Sequence, residues 1–516
     1  MQMEQNRFHC HISIVFEKVW AVVAFLLLTM INNIKDVIES ISDLNRLKAD
    51  GMNLYAGLGL VLLALVLYIG IYLIRWAKTW IMFEDESIVI ERKTLNRKVN
   101  TIGMKNISNV NLEQNLFQRL IHVYQVKLDT NSASTADTTD VSIVLGEKQA
   151  RAFQKRILEH IDGGSGYAQT PETEGDAKLS DVSGQSKTGA YRQITYSGKD
   201  VIAHCLSTLS IFWLIAAIVS IGGGIYFLIN SFSEKGSILE AFGGFFAIWA
   251  FAAAAVWKLI GNYFKLYGFS AKRAGDKIYL SYGLLKKREY MIPVNKINSV
   301  IVCQNMVARL LKCQYVELVC VGLGDEQDEG AQLMLACKKE EMLQHMQTLL
   351  PEYMEELKAP LTRQKKCSIL CKIPSYLIRL GIYAAAFGAM YAWKPQYFHW
   401  ELLVFVVICI WNVFCEILRY HTFGISCSTG ADDTGCMGGI SIAGGTFEKR
   451  VVSIRYDKLQ ILKQSQGPLY RRFGLYKGEV HILASALNSV FETGAYPAEV
   501  FETIRQGMLA SRADQI

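Results

Sequence analysis

Long apolar blocks alternate along this chain with stretches in which hydrophobic and polar residues follow one another in turn. The blocks at residues 14–31, 54–77, 206–229, 238–260, 375–393 and 399–418 each approach the ~20 residues needed to cross a bilayer core. They come in pairs separated by shorter polar segments, which predicts three membrane hairpins. The first block has Glu17-Lys18 near its entrance and no small-residue cleavage pattern after it, so it reads as a retained span and not a cleaved signal. Glycines at Gly57, Gly59 and Gly70, at Gly222-Gly223-Gly224 and at Gly243-Gly244 permit close helix contact within the hairpins.

Between the hairpins the period changes. Residues 88–92 and 97–102 flank a polar turn and predict a β-hairpin. Strands are expected at 122–128 and 141–145. Residues 147–161 place Phe153, Ile157 and Ile161 at helical spacing, which predicts an amphipathic closing helix. The same order returns with strands at 277–280, 290–302 and 315–321 and a helix at 338–350. It returns again in 419–508, with a Gly-rich entry at 430–439 and a closing helix at 498–506.

This recurrence extends to individual residues. The stretch from Thr101 to Arg119 superposes without a gap on 291–309 and 453–471. Ile102, Ile292 and Ile454 align, as do Gln114, Gln304 and Gln466, and Arg119, Arg309 and Arg471. Repeats this far apart are not a solenoid, and each marks a domain of its own. The division expected is membrane hairpin 1–78, domain 79–161, linker 162–199, hairpin 200–261, domain 262–351, hairpin 352–418 and domain 419–508. The linker is rich in Gly, Ser, Thr and acidic residues and nearly free of aliphatics, as flexible segments are.

Each hairpin enters and leaves on one side, so all three domains share a face. Basic residues concentrate on the domain side (Arg75, Lys78, Lys258, Lys265, Lys365, Lys366, Lys372 and Arg419), which predicts a multi-pass cell-membrane protein with cytoplasmic domains and termini. Half of the residues are hydrophobic (51%) and the net charge is only +7, which fits an anionic surface as neighbour and does not call for nucleic acid. The twelve cysteines lack paired zinc-type spacing, and reduced, structural thiols are expected.

The segment Ile292-Pro293-Val294 to Arg309-Leu310-Leu311 carries the pattern Ile-Pro-apolar-x-Lys-Ile-x-Ser-Val followed by Gln and Arg-Leu-Leu. It resembles the bacterial pleckstrin-homology-like domain of YdbS- and YdbT-type membrane proteins. The lead-in segments Arg7-Phe8-His9 and Tyr191-Arg192-Gln193-Ile194 resemble that family too. The third copy departs most, with Gln460 where Ser108 and Asn298 stand and Gly467-Pro468 at the turn. The resemblance implies α+β domains, each a small barrel or sandwich with a C-terminal helix, alternating with six spans. It also implies a link to envelope stress or antimicrobial-peptide resistance, and a smaller single-domain relative as partner.

Basic doublets recur at one aligned position: Arg97-Lys98, Lys287-Arg288 and Lys449-Arg450. They are the candidate contacts to anionic phospholipid headgroups or to a partner, through charge-assisted bonds to phosphate. Neighbours on a strand face opposite ways, so one of each pair faces a given side. The aligned arginines are expected to pack on turn carbonyls. Within the spans, Arg379 and Glu416 are placed to pair or snorkel, Asn412 to bond between helices, and His204 lies near a span end. Catalytic and metal signatures are missing, so no enzyme, cofactor or metal site is expected. The expected function is a non-enzymatic membrane scaffold; the alternative is a transporter or channel built from the six spans.

Overall fold

The computed structural model describes residues 7–32, 51–130, 141–161, 192–233, 253–320, 331–393, 398–428, 438–484 and 489–513, apart from 85, 95, 105, 106 and 255. Most of the expected linker 162–199 and most of the fourth expected span, 238–260, lie outside these residues. The chain divides into two units, the first holding the described residues up to 161 and the second those from 192 onward.

In the first unit, helices α1 (Ser13–Asn32) and α2 (Gly51–Ala77) occupy the first hairpin. The lead-in segment is itself a strand, β1 (Arg7–Phe8). It pairs with β2 (Thr79–Phe83), Arg7 opposite Met82 and Phe8 opposite Ile81. The chain therefore leaves the sheet and returns to it at one place, with the hairpin between. Trp76 at the hairpin's exit donates its Nε1–H to the Cys10 carbonyl at its entry, at 2.6 Å. The sheet continues through β3 (Ser87–Lys93) and β4 (Arg97–Gly103), with Ile88 opposite Ile102 as alternation requires. A second sheet holds β5 (Ile107–Asn115), β6 (Val123–Thr130) and β7 (Val141–Gly146). Ile81, Ile88, Val110, Leu112, Val126 and Leu128 fill the space between. Helix α4 (Glu147–Ile161) closes it with Phe153 and Ile157.

The second unit repeats the plan twice. β8 (Arg192–Thr195) pairs with β9 (Ser270–Ala274) at the base of the second hairpin, followed by β10 (Lys277–Tyr282) and β11 (Lys286–Pro293). The single strand expected at 290–302 is two. Pro293 cannot donate to a continuing ladder, and a 3-10 turn at Val294–Lys296 carries the chain into β12 (Ile297–Gln304), which has different partners. The repeated signature is thus the corner where the chain crosses between sheets. The third expected span also starts later than its hydropathy. Helix α5 (Gly198–Ser207) ends where the Ser207 and Thr208 hydroxyls bond to the His204 carbonyl, and α6 (Ile211–Ser233) begins beyond it. His204 is accordingly no span residue. It is buried in the domain, where its Nδ1 accepts the Ala336 N–H at 3.1 Å, and burial pushes its pKa down to about 4.

Three separate domains were expected, and the second and third are not separate. β12 pairs on one edge with β13 (Cys313–Cys320), which pairs with β14 (Ala331–Lys338). On its other edge β12 pairs with β18 (Lys449–Arg455), Val300 opposite Ser453 through Gln304 opposite Lys449. β18 continues through β17 (Gly439–Gly444) and β16 (Gly424–Cys427) to β15 (Thr362–Arg363), one antiparallel sheet of seven strands. Ile297 to Cys303 are buried throughout because each face of β12 serves a different core. Val300 and Val302 pack with Ile278 and Leu333 of the second domain. Ile301 and Cys303 pack with Ile440, Val452 and Phe501 of the third. Further bonds cross the junction, from Tyr315 Oη to Glu448 Oε1 (2.8 Å), Lys458 Nζ to the Asn295 carbonyl (2.7 Å) and Asn298 Nδ2 to the Leu483 carbonyl (2.5 Å). Helix α8 (Lys339–Leu349) closes the second domain.

In the third repeat β15 and β16 close the base of a hairpin made of α9 (Ile373–Trp393) and α10 (Phe398–Thr422). The outer sheet is β19 (Leu459–Ser465), β20 (Leu475–Ile482) and β21 (Val490–Pro497). The closing helix, here called α12, runs Ala498–Ala513, past the end expected at 506. Gly507 does not stop it. The glycine allows close approach instead, since a Cβ there would sit 2.5 Å from the Tyr456 ring. Among the described residues, Gly59–Ala77, Cys367–Ala392 and Leu402–Thr422 are long and apolar enough to cross a membrane.

Candidate membrane-facing site

The three basic doublets do not form one kind of site. On β4, Arg97 is committed to Glu91 (Nη2 to Oε1, 2.7 Å), which also receives Lys93 at 3.2 Å, while Lys98 is exposed. On β11, Lys287 pairs with Glu289 at 2.7 Å and Arg288 is buried opposite Tyr282. Those two do alternate in exposure. On β18, Arg450 pairs with Glu448 at 2.9 Å, and Lys449 is half-buried opposite Gln304. The second and third doublets lie in two different sheets of the second unit, and the first lies in the other unit.

The turn after the signature is more uniform. Gln114, Gln304 and Gln466 each donate Nε2–H to a backbone carbonyl nine residues on: Val123 at 3.0 Å, Cys313 at 3.1 Å and Leu475 at 3.2 Å. Each glutamine is followed by a five-residue helix: α3 (Leu116–Leu120), α7 (Met306–Leu310) and α11 (Pro468–Arg472). Asn115 and Asn305 cap the first two, their Oδ1 accepting from Gln118 N and Ala308 N. The departure at Gly467-Pro468 keeps the helix by other means, since proline at the first helical position presets φ and lacks an N–H that would go unsatisfied there. The next turn is left-handed in every copy, at His122 (φ 51°), Lys312 (φ 56°) and Gly474 (φ 63°). Only the third copy places a glycine where that backbone is unstrained.

These helices sit at the bases of the hairpins. Asn115 Nδ2 donates to Glu17 Oε1 of α1 at 3.0 Å, and Phe117 stacks on Phe16. Asn305 Nδ2 donates to the Leu209 carbonyl, two residues before α6, at 3.1 Å. Tyr470 and Leu475 pack with Cys371 beside the start of α9. Leu116, Phe117 and Leu120 of α3, Leu310 of α7 and Leu311 beside it are nonetheless exposed. Sequence reasoning missed this, although Arg-Leu-Leu was in view as part of the repeat.

At the base of the third hairpin lies a cavity of about 690 Å³, lined by Lys372, Arg379, Glu416, Arg419, Tyr470 and Lys477 among others. Glu416 receives both Lys372 (2.9 Å) and Arg379 (3.0 Å). Arg379 also reaches Asn412 Oδ1 at 3.4 Å, and Asn412 donates to Tyr383 Oη at 3.3 Å. The pairing expected of Arg379 and Glu416 is therefore present, and Asn412 does bond between helices. Arg419 is tied to Glu492 at 2.7 Å, and Lys477 lies over the Tyr470 ring at 5.0 Å. Among the described residues no group of His, Cys, Asp or Glu is placed to hold a metal ion.

Three crossing corners, three glutamine-stapled turns and three closing helices define a domain repeated in one order. The Bacterial PH domain family matches residues 23–161, 212–347 and 375–511, most of the chain. The chain belongs to the Bacterial PH domain family. It is also similar to the transmembrane protein YdbT of Bacillus subtilis strain 168, with 22% identity over 331 residues, covering 60% of this chain and 63% of that protein. The chain thus spans less than two thirds of this curated relative. No solved structure matches it. The resemblance read from the sequence holds: this is a membrane-associated bacterial PH-domain protein of the YdbT type.

Proposed function

We propose that this bacterial PH-domain protein is a non-enzymatic, multi-pass membrane scaffold. Three membrane hairpins, six spans in all, hold the PH domains and both termini on the cytoplasmic face. There the domains engage anionic lipid and a membrane partner such as a smaller single-domain PH protein, in the service of envelope stress or antimicrobial-peptide resistance. The observation that carries this reading is the strand sharing between β12 and β18. Two domains that pool one sheet and two cores hold their hairpin bases at a fixed spacing, which is what a platform for other membrane components requires. Closure of every hairpin by a strand pair (β1 with β2, β8 with β9, β15 with β16) supports entry and exit on one side.

Membrane-impermeant maleimide labelling of the K98C and K394C variants in intact cells tests the orientation. K98C is expected to react only after permeabilisation and K394C before it; the reverse pattern overturns the arrangement. Mild-detergent purification from native membranes, with identification of co-purifying PH-domain protein, tests the scaffold role. Recovery of the chain alone at every solubilisation condition overturns it. One observation favours transport as a second reading, the Arg379–Asn412–Glu416 cluster toward the base of the third hairpin, since ionisable groups within a span often serve ions. Ion flux into proteoliposomes that disappears with R379L would support transport; absence of flux removes it.

A further inference from the structure

Where the shared sheet meets the bases of the second and third hairpins, four cations converge. Register places Lys449 opposite Gln304, whose side chain holds the Cys313 carbonyl. Cys313 in turn lies opposite Lys338, and Lys339 opens α8. Arg309 sits on α7, between the end of β12 and the start of β13. Arg363 lies on β15, in the pair that closes the third hairpin. Burial, and then the charges of Arg309, Lys339 and Arg363, hold the Lys449 ammonium below its ordinary pKa, so the four share one electrostatic field.

No acid answers them within that set. The nearest carboxylate along the strand, Glu448, is occupied by Arg450 and Tyr315. Arg309 Nε and Nη2 are buried with no hydrogen-bond partner among the described residues. The carbonyl packing expected for this arginine is therefore not what these two nitrogens make. A buried guanidinium edge with two open donors has the geometry to grip an oxyanion with two oxygens, and leaving it open is costly. The counterparts Arg119 and Arg471 are exposed instead, so this site belongs to the junction of the second and third domains alone.

We propose that Arg309 and Lys449, supported by Lys339 and Arg363, bind a phosphate group carried by an anionic phospholipid headgroup in the leaflet that the hairpins enter. A lipid is favoured over a free phosphate because Leu310 and Leu311, directly after Arg309, are 84% and 50% exposed. Leu206, on the helix that leads into the second hairpin, is exposed as well. Leucines beside a cation cluster at the foot of a span match the apolar-plus-basic pattern of interfacial membrane binding. The proposal deepens the scaffold reading by naming its lipid contact. The two fail separately, because partner recovery and lipid counting are independent readouts.

The test uses the full chain in detergent micelles, titrated with short-chain phosphatidylglycerol, phosphatidylcholine or inorganic phosphate and read by native mass spectrometry. Phosphatidylglycerol is expected to bind at least ten-fold more weakly to R309Q/K449Q, while R309K/K449R, which keeps both charges but loses the two-donor edge, binds between the parent and R309Q/K449Q, and R512Q on the closing helix binds as the parent does. The L310N variant is expected to weaken phosphatidylglycerol several-fold and leave inorganic phosphate unchanged. Undiminished phosphatidylglycerol binding in R309Q/K449Q overturns the site, as does equal affinity for phosphatidylcholine. Inorganic phosphate binding as tightly as phosphatidylglycerol, with L310N without effect, overturns the lipid as the source of the phosphate. R309K/K449R separates lost charge from lost fold: binding no better than that of R309Q/K449Q would mean that the arginine and lysine act through structure, and the proposal falls.

Discussion

Ile301 offers the sharpest test of strand sharing, because it belongs to the second domain in sequence and to the third domain's core in space. It is 2% exposed and packs with Ile440, Val452 and Phe501. Ile301→Ala removes three carbons worth roughly 0.8 kcal/mol each. With the cavity left behind, about 3 kcal/mol is expected, inside the usual range for such truncations. Val302, the next residue, faces the other way into the second domain's core, and Val302→Ala should cost about 1.5–2 kcal/mol there.

Hydrogen-exchange mass spectrometry on the intact protein in micelles locates each loss. A fall of about 3 kcal/mol in opening free energy speeds exchange roughly 100-fold. For Ile301→Ala the acceleration should appear in β17, β18, β20 and α12, more than a hundred residues downstream of the change. For Val302→Ala it should appear in β10, β13 and β14. If Ile301→Ala accelerates exchange only within 262–351, the two cores are not joined through β12 and the rigid-platform reasoning fails with them.

Glu356 is buried, and burial raises its carboxyl pKa to about 7. The folded state holds this proton more tightly than the unfolded chain, so stability is greatest below about pH 4.5 and falls as pH rises through 7. Glu356→Gln should flatten that slope in thermal unfolding and raise the midpoint at pH 8; an unchanged slope refutes the assignment. Gly507→Ala gains up to about 1 kcal/mol of helix propensity but drives a methyl into the Tyr456 ring, and overpacking of about 1–3 kcal/mol should win, lowering the unfolding midpoint. In the third hairpin, Glu416→Leu strands Lys372 and Arg379. With both cations partly exposed, the expected cost is only about 1–2 kcal/mol, and adding Arg379→Leu should recover part of it in a double-mutant cycle. Lys463→Ile with Ser465→Cys gives the exposed β19 edge the side chains that β12 buries, and should produce concentration-dependent self-association on size-exclusion chromatography.

Much of this was legible in the sequence, for identifiable reasons. The closing helix of the first domain announces itself through Phe153 and Ile157 at helical spacing and lies where expected. The Arg379–Glu416 pair was legible because charges inside apolar blocks have few places to go. The crossing corner was not, since Tyr290 to Val302 reads as one strand. Only Pro293 hinted that the run changes partners midway. The hairpin closures were half visible: Arg7-Phe8 and Arg192 to Ile194 stood out as lead-ins, but their role as strands depends on partners some 75 residues away. The Lys449–Arg309 cluster was hidden for the same reason. Its residues come from four separate elements, and the doublet at 449–450 drew notice for a shared position that turned out to mean three different environments.

β12 and β19 occupy the same place in successive repeats, yet one is buried on both faces and the other is largely exposed. The alignment explains the difference residue by residue. Ile301 and Cys303, which enter the neighbouring core, correspond to Lys463 and Ser465, and Ser299 corresponds to Ile461. A neighbour that paired with β19 as β18 pairs with β12 would have to bury an ammonium where β12 offers an aliphatic side chain. Lysine on an edge strand is a common safeguard against unwanted pairing. Strand sharing is therefore selective within this protein: the second domain is built to receive a neighbour's sheet, and the third is built to refuse one. Association of the third domain with another protein must then use a surface other than the β19 edge, such as the charged cavity at the third hairpin's base or the outer face of α12.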